Sequence, residues 1–410
     1  MMMDRDVCFL VSEHPFLDAR IFKKEAKSLM KQGYKVTMIV PRKDGYLFDT
    51  DGSVFREKFL SQTFIYEGIK VITYEHIYPE KNIKNLYYNL RSGDYSRFSD
   101  PLTQIGIKQK ADFYHAHEFF SLYSGIGIKR ALTASGKHSK LIYDSHELEP
   151  DPLIDQPIKT QRIKTQMLEL MLIELDYVIT VSNSIKSWYL SLDPHLPVEV
   201  IYNSPPLATE FTPKKGSNSD ILLAYEGVLN QKRGNFRKLM SVLDMCNKKF
   251  NLKVKIIGGA KDTEKDFNQK VPSHLKDKVH YTGWVSYESI PEAMKDVDIG
   301  WIDLDAANSL NNRFAMPNKF FSYLNNGVPV IVNKCEDMET FIQTYYCGYI
   351  VKKLQATAQD YFQVLVHIQS DRNKIQEMSL NARSIIETKY SWEHMEKRLF
   401  AVYNQLAKDM

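Results

Sequence analysis

Along most of the chain, short apolar runs alternate with longer stretches in which apolar residues recur every three or four positions. The runs have the composition of strands buried on both faces, and the longer stretches read as helices that cover them. Together they predict βαβ units and parallel sheets. In the first half the predicted strands are 7–11, 36–40, 69–74, 113–115, 141–144, 177–181 and 198–201, with helices such as 19–32 and 160–175 between them. A second series follows at 221–225, 254–257, 279–282, 299–302, 328–332 and 349–351. The two series are separated by NSPPLATEFTPKKGSNSD, 203–220, where prolines, serines and charges replace the periodic apolar residues, as in an interdomain linker.

The pattern therefore predicts an α/β protein with two Rossmann-like domains, 1–205 and 206–390, followed by a C-terminal helix, 391–410. That helix carries Trp392, Met395, Leu399, Val402, Tyr403 and Leu406 near one face and could pack on either domain. Two segments, 42–66 and 80–108, are polar and aromatic without a clear period and are expected as loops over a substrate or as partly ordered surface. In PNKFFSYLNNGVPVIV, 317–332, Pro317 opens a short helix, Gly327 stops it and a buried strand follows. A helix start at a sheet edge suits an anion.

Composition narrows the classes. A hydrophobic share of 43% with 12% aromatic residues supports cores large enough for two or three domains. With 54 basic and 50 acidic residues, the net charge of +4 gives no footprint for nucleic acid, and no nucleic-acid partner is expected. Cys8, Cys246, Cys335 and Cys347 are scattered, without a C-x-x-C, so neither a zinc site nor a disulfide framework is indicated and a reducing, cytoplasmic setting is the simplest expectation. No apolar run approaches the ~20 residues that span a bilayer. Lys159, Arg162 and Lys164 open a helix whose later face holds Met167, Leu168, Met171 and Leu172, which reads either as peripheral contact with a membrane surface or as the core side of a domain helix.

Seven segments carry a resemblance: HPFLDARIFKKEAKSLMKQGYKVTMIV, DFYHAHE, KLIYDSHELEP, DYVITVSNSI, VIYNSP, GVLNQKRGNFRKL and PNKFFSYLNNGVPVIV. In this order and spacing the chain resembles the GT-B-fold retaining glycosyltransferases of family 4, from about residue 7 to residue 404. The resemblance implies two Rossmann-like domains facing across a cleft. It also implies a nucleotide-diphosphate sugar as donor substrate, a glycan or lipid-linked acceptor, as in polysaccharide biosynthesis, and no metal cofactor.

On the donor side the resemblance places Arg233 on the diphosphate, with Gly234 allowing close backbone approach. A solvated Lys232–Arg233 pair at a turn is the plainer alternative. Lys319 and Asn318 stand in the first helical turn, where an ammonium and free N–H groups face the same anion. Ser322 and Gly258 complete the expected nucleotide-sugar set. His146, at the end of strand 141–144, is implied as a sugar-positioning and charge-stabilising group; in retaining transfer the leaving phosphate itself can take the acceptor proton. Arg233, Lys319 and His146 are thus the expected catalytic residues.

His14, Asp18, Arg20, His117 and Glu118 are the expected acceptor-side residues, although the first loop lacks the family's glycine pair. His115 and His117 share one face of a strand at a spacing that would also suit a metal, but no third ligand is identifiable in the sequence. Asp303-Leu304-Asp305 imitates a metal-binding D-x-D, yet it falls late and reads as a strand-end turn.

The family's usual acids are missing. Its glutamate pair, with seven residues between the two, would fall at Phe314 and Ser322, and no glutamate occurs between Glu292 and Glu336. A serine makes one neutral hydrogen bond where a carboxylate accepts two charge-assisted ones, and Phe314 makes none. Asn311, Asn312 or Asp305 could supply polar contacts instead. Three functions remain in view: an active transferase, a non-catalytic glycosyltransferase-like subunit that stabilises a partner, and a sugar-nucleotide epimerase on the same fold.

Overall fold

The computed structural model describes residues 5–214, 220–231, 233–259, 267 and 269–410. The chain forms two compact units, one built from 1–201 with 396–410 and the other from 202–395. Of the stretch read as a linker, residues up to 214 belong to the second unit and 215–219 lie outside the described residues.

Among the described residues the first unit holds eight strands: β1 Asp6–Val11, β2 Lys35–Arg42, β3 Thr63–Tyr66, β4 Ile69–Glu75, β5 Phe113–His117, β6 Lys140–Ser145, β7 Tyr177–Thr180 and β8 Val198–Val200. They form one sheet in the order β3-β4-β2-β1-β5-β6-β7-β8. The pairings are parallel except that β3 runs antiparallel to β4. Strand order reverses between β1 and β5, and in open α/β sheets that reversal opens a ligand crevice at the carboxyl ends. β5 runs two residues past its expected end because its register with β6 continues to His117 opposite Asp144. Both histidines of the HAHE segment are therefore strand residues.

Segment 80–108, expected as loop, is mostly helical. Pro79–Asn82 forms a 3-10 turn into helix Ile83–Ser92, whose Ile83 and Leu90 face inward, and helix Pro101–Gln109 follows. The second helix has a clear cause: Asp100 accepts from Thr103 N–H at 2.9 Å, and Pro101 sits in the first turn, where its missing N–H costs nothing. In the stretch 42–66 the regular pieces are bridged turns and β3.

Helix Ile158–Leu172 buries Met167, Leu168, Met171 and Leu172, so the stripe offered for a membrane surface is core. Its Lys164 pairs with Glu149. Among the described residues no helix is long and apolar enough to cross a membrane. The last helix, Trp392–Lys408, brings Leu399, Val402, Tyr403 and Leu406 into the interior of the first unit, where the Tyr403 hydroxyl lies 2.9 Å from His115 Nδ1.

In the second unit β9 Ile221–Gly227, β10 Leu252–Gly258, β11 Val279–Gly283, β12 Ile299–Ile302, β13 Val330–Asn333 and β14 Gly348–Val351 form a parallel sheet ordered β11-β10-β9-β12-β13-β14. Here the order reverses between β9 and β12. The core around Leu223, Tyr225, Leu243, Ile256, Trp301 and Tyr361 is continuous. All four cysteines are buried and free.

Helix Asn318–Asn325 lies against β9 and β12. Gly300 permits the approach, since a Cβ there would stand 2.5 Å from the Tyr323 ring. The Tyr323 hydroxyl then donates to Ala224 O at 3.0 Å and accepts from Glu226 N–H at 2.8 Å, fixing the helix against the strand end.

Candidate functional site

Two clusters sit at strand ends, one in each unit. In the second unit β9 ends at Glu226 and Gly227. Gly227 has φ +102°, which lets the chain leave the strand toward the helix Asn318–Asn325, and a Cβ on it would lie 3.6 Å from Lys319 Nζ. Lys319 Nζ donates to the Tyr225 hydroxyl at 2.9 Å and stands 4.0 Å from that ring's centroid. The Tyr225 hydroxyl in turn donates to Val228 O at 2.7 Å.

Gly234 packs on the other edge of the same ring, where a Cβ would come within 2.2 Å of it, and Trp301 Nε1 donates to Gly234 O at 3.1 Å. Arg233 N–H donates to Asn230 Oδ1 at 2.8 Å, so the turn is pinned while the Arg233 side chain is exposed. Lys232 lies outside the described residues. At the end of the neighbouring β10, a Cβ on Gly258 would stand 3.0 Å from Gly227 O, which already accepts from Gly259 N–H at 2.8 Å.

The electrostatics follow from this packing. Burial pushes the Lys319 ammonium down to about 8; Glu226 opposes that push and Arg233 adds to it. Burial raises the Glu226 carboxyl, against the Ser322 hydroxyl and the Lys319 charge. Thus Lys319 and Gly234 meet at Tyr225, Gly258 stands against Gly227, Ser322 acts on Glu226 and the Arg233 charge is felt at Lys319, with Asn318 exposed in the first turn of the helix, which has no side-chain cap. Two cations and uncapped backbone N–H groups at one sheet edge suit a diphosphate.

Glu226 was not among the residues expected from sequence. Its one signal was an acid closing an otherwise apolar strand. Asp303 is fully engaged, at 2.7 Å from Lys238 Nζ and 2.9 Å from the Tyr361 hydroxyl, so the first acid of D-L-D ties a strand end to two helices.

In the first unit His14 follows β1, Glu118 follows β5 and His146 follows β6. His14 Nε2 lies 3.1 Å from Glu118 Oε1, and its Nδ1 lies 3.5 Å from Asp18 Oδ2. His146 Nε2 lies 3.0 Å from Asp144 Oδ2 and 3.2 Å from His117 Nδ1, while its Nδ1 is 3.5 Å from Glu118 Oε1. Glu118 takes φ +75°, a conformation rare for a residue with a side chain, and costs of order 1–3 kcal/mol by general experience of such strain. Its N–H donates to Asp144 O at 3.2 Å, which holds the turn.

Behind this face lies a charged layer. Arg20 donates from Nε and Nη2 to the two Asp144 oxygens, both at 2.8 Å, and from Nη1 to Ile201 O at 2.9 Å, with Glu25 Oε1 3.0 Å from Nε. Arg20 and His117, expected on the acceptor side, are 1% and 0% exposed and present nothing to a ligand. Their role here is to hold Asp144 and His146. Asp18 Oδ1 accepts from Arg20 and Ile21 N–H at 2.8 and 3.0 Å, closing the start of the helical stretch Ile21–Lys31. His14, Asp18 and His146 keep some exposure.

The expectation that HAHE lacks further ligands is corrected: Glu25 and Asp144 join His115 and His117, with ligand atoms within 4.8 Å of one another. The Arg20 guanidinium already bridges both carboxylates, so a divalent ion would sit against a fixed positive charge. The set fits an internal ion-pair network better than a metal centre.

Burial pulls the His14 imidazole down, but hydrogen bonds and charges from Asp18 and Glu118 outweigh it and hold the ring well above its usual 6.5. A folded value above the unfolded one means that protonation favours the fold. That stabilisation is complete below about pH 6.5 and is lost as pH rises through the folded value. Comparing chemical denaturation of wild type and His14→Gln from pH 6 to 9 should show the stability gap shrinking as pH rises; a gap that widens would contradict the assignment.

Residues 234–388 match the family model of the glucosyltransferase 3-like C-terminal domain. Curated protein sequences give no match. Sucrose-phosphate synthase from Thermosynechococcus elongatus superposes with a TM-score of 0.70 at 14% identity, over 99% of this chain and 100% of that one. Anabaena HepE, solved with UDP, gives 0.68 at 14% identity over 98% and 100%. The lipopolysaccharide outer core galactosyltransferase WaaB, in its apo form, gives 0.61 at 14% identity over 98% and 99%. The fold is GT-B.

Proposed function

We propose that the chain is a glycosyltransferase that moves a sugar from a nucleoside diphosphate donor to a glycan or lipid-linked glycan, with retention of anomeric configuration. The observation that carries this is the gathering of Lys319 and Arg233 at the end of β9, in and beside the region matched by the glucosyltransferase 3-like model. Breaking the sugar–phosphate bond leaves extra negative charge on the diphosphate. Two cations at that edge meet the charge, and one of them is in place before reaction. Lys319 Nζ is fixed by Tyr225, while Arg233 offers an exposed side chain from a turn pinned through its backbone N–H. A nucleotide complex of Anabaena HepE supports a uridine nucleotide as the first donor to test.

In the first unit, His14, Glu118 and His146 serve the acceptor and the transferring sugar. Asp144, itself held by Arg20, orients His146. No step requires a metal, because the charge on the leaving group is met by side chains.

A second reading, a non-catalytic subunit, is favoured by Phe314 and Ser322 standing where the resembling family keeps carboxylates. One experiment separates the two. Purified protein is incubated with a panel of nucleotide sugars, with and without glycan acceptors, alongside Arg233→Ala. Transfer that collapses in Arg233→Ala supports the enzyme; absence of binding at millimolar donor and of any turnover removes it. Isomerised donor without acceptor would indicate an epimerase instead.

A further inference from the structure

We infer that Glu226 is the carboxylate that receives the ribose hydroxyls of the donor nucleotide, from the strand end rather than from the helix Asn318–Asn325. This rests on the reading of the second unit as the nucleotide-sugar site. Glu226 is the last residue of β9 before the turn at Gly227, on a strand beside the point where sheet order reverses. Its position is fixed from the backbone, since its N–H donates to the Tyr323 hydroxyl at 2.8 Å and that hydroxyl donates on to Ala224 O at 3.0 Å. Its side chain therefore meets the helix at the turn that carries Lys319 and Ser322, the two groups that act on its charge.

The carboxylate is short of donors. Oε2 is itself buried and has no hydrogen-bond partner among the described residues, while the residue as a whole is half-buried, so the side chain must turn outward for a ligand to reach that oxygen. An under-satisfied carboxylate in a partly dry site gains from neutral O–H donors, and a vicinal diol supplies two. Beside it, Lys319 and Arg233 attract an anion, but a bare phosphate placed against all three groups would also meet the Glu226 charge. A ligand gains from the whole set only if its hydroxyls and its phosphates are on separate parts of the molecule, as in a ribonucleoside diphosphate. The absence of glutamate between 292 and 336 leaves that helix without such an acceptor of its own, and the strand supplies one.

The test is a cycle of protein and ligand changes read by titration calorimetry. UDP, GDP, ADP and CDP are first titrated into wild type; the tightest is then compared with its 2′,3′-dideoxy form in wild type, Glu226→Gln and Arg233→Ala, with melting curves to confirm folding. Removing the hydroxyls should weaken binding to wild type about tenfold or more, by the loss of charge-assisted hydrogen bonds. Glu226→Gln should lose about as much for the ribose form and less than about threefold for the dideoxy form.

Arg233→Ala should weaken both forms alike. If Glu226→Gln binds the ribose form as wild type does, or loses both forms equally, the inference falls and the phosphate reading stands. The matching nucleotide sugar is titrated alongside, and a loss in Glu226→Gln confined to it would move Glu226 to the sugar and overturn the ribose assignment. If no nucleoside diphosphate binds wild type at millimolar concentration, the nucleotide-sugar reading fails and this inference with it. If Glu226→Gln does not fold, Glu226→Asp takes its place, and its shorter side chain should give the same loss, confined to the ribose form.

Discussion

Lys319→Ala is expected to lower the transfer rate by about a hundredfold to a thousandfold, the usual cost of removing one preorganised donor from a developing anion. The lysine is anchored on the Tyr225 hydroxyl at 2.9 Å, so its ammonium is in place before the donor arrives. Its acidity gives the effect a second signature. Burial brings the group down to about 8, so the positive charge is present below that pH and is lost above it. For the free enzyme, kcat/KM should therefore fall on the alkaline side with an apparent pKa near 8. Lys319→Arg keeps its charge throughout and should lack that limb, whatever its absolute rate. Steady-state rates from pH 6 to 10 decide the matter. A loss below about threefold in Lys319→Ala, or an alkaline limb that survives in Lys319→Arg, would remove Lys319 from the phosphate site.

The largest stability effect should come from Asp144→Ala. Asp144 is completely buried and accepts two bonds from Arg20, which is itself almost fully enclosed. Removing the carboxylate leaves that guanidinium with Glu25 and one backbone carbonyl. Breaking such a pair from one side typically costs about 3–5 kcal/mol. For a unit of this size that is a fall of roughly 6–20 °C in Tm. Asp144→Asn should fall between this and wild type, because the amide oxygen still accepts from Arg20. Differential scanning calorimetry of the three proteins measures it; an Asp144→Ala transition within a degree of wild type would show that Arg20 finds other partners.

The strands and the short helix that carries Lys319 were legible because their signals are local. The run 328–332 is apolar from end to end, and PNK followed by a glycine stop marks a short helix at a sheet edge. What stayed hidden depends on residues far apart in sequence. Arg20 reads as a loop residue offered to a ligand, and only Asp144, 124 positions away, shows why it turns inward. The ligand set around HAHE looked incomplete because Glu25 and Asp144 come from other elements. Helix Ile83–Ser92 is a different case: Ile83, Leu86, Tyr87 and Leu90 keep the helical spacing, so its period was there to be read, but it spans just ten residues inside a long polar and aromatic segment and was passed over with it. Glu226 was overlooked because an acid at the end of a strand is unremarkable until Lys319, from 93 positions later, is brought beside it.

The arrival of Leu399, Val402, Tyr403 and Leu406 in the first unit sets an order of events during synthesis. The interior around His115 is complete only when Tyr403 reaches it. Before that, the ribosome must make the 194 residues from 202 to 395. At about 5–20 residues per second that takes roughly 10–40 s. Through that interval the earlier-made unit waits with an open seam beside β5, while the later-made one can close as soon as residue 395 emerges. Nascent chains arrested before residue 396 should therefore be the ones that chaperones hold.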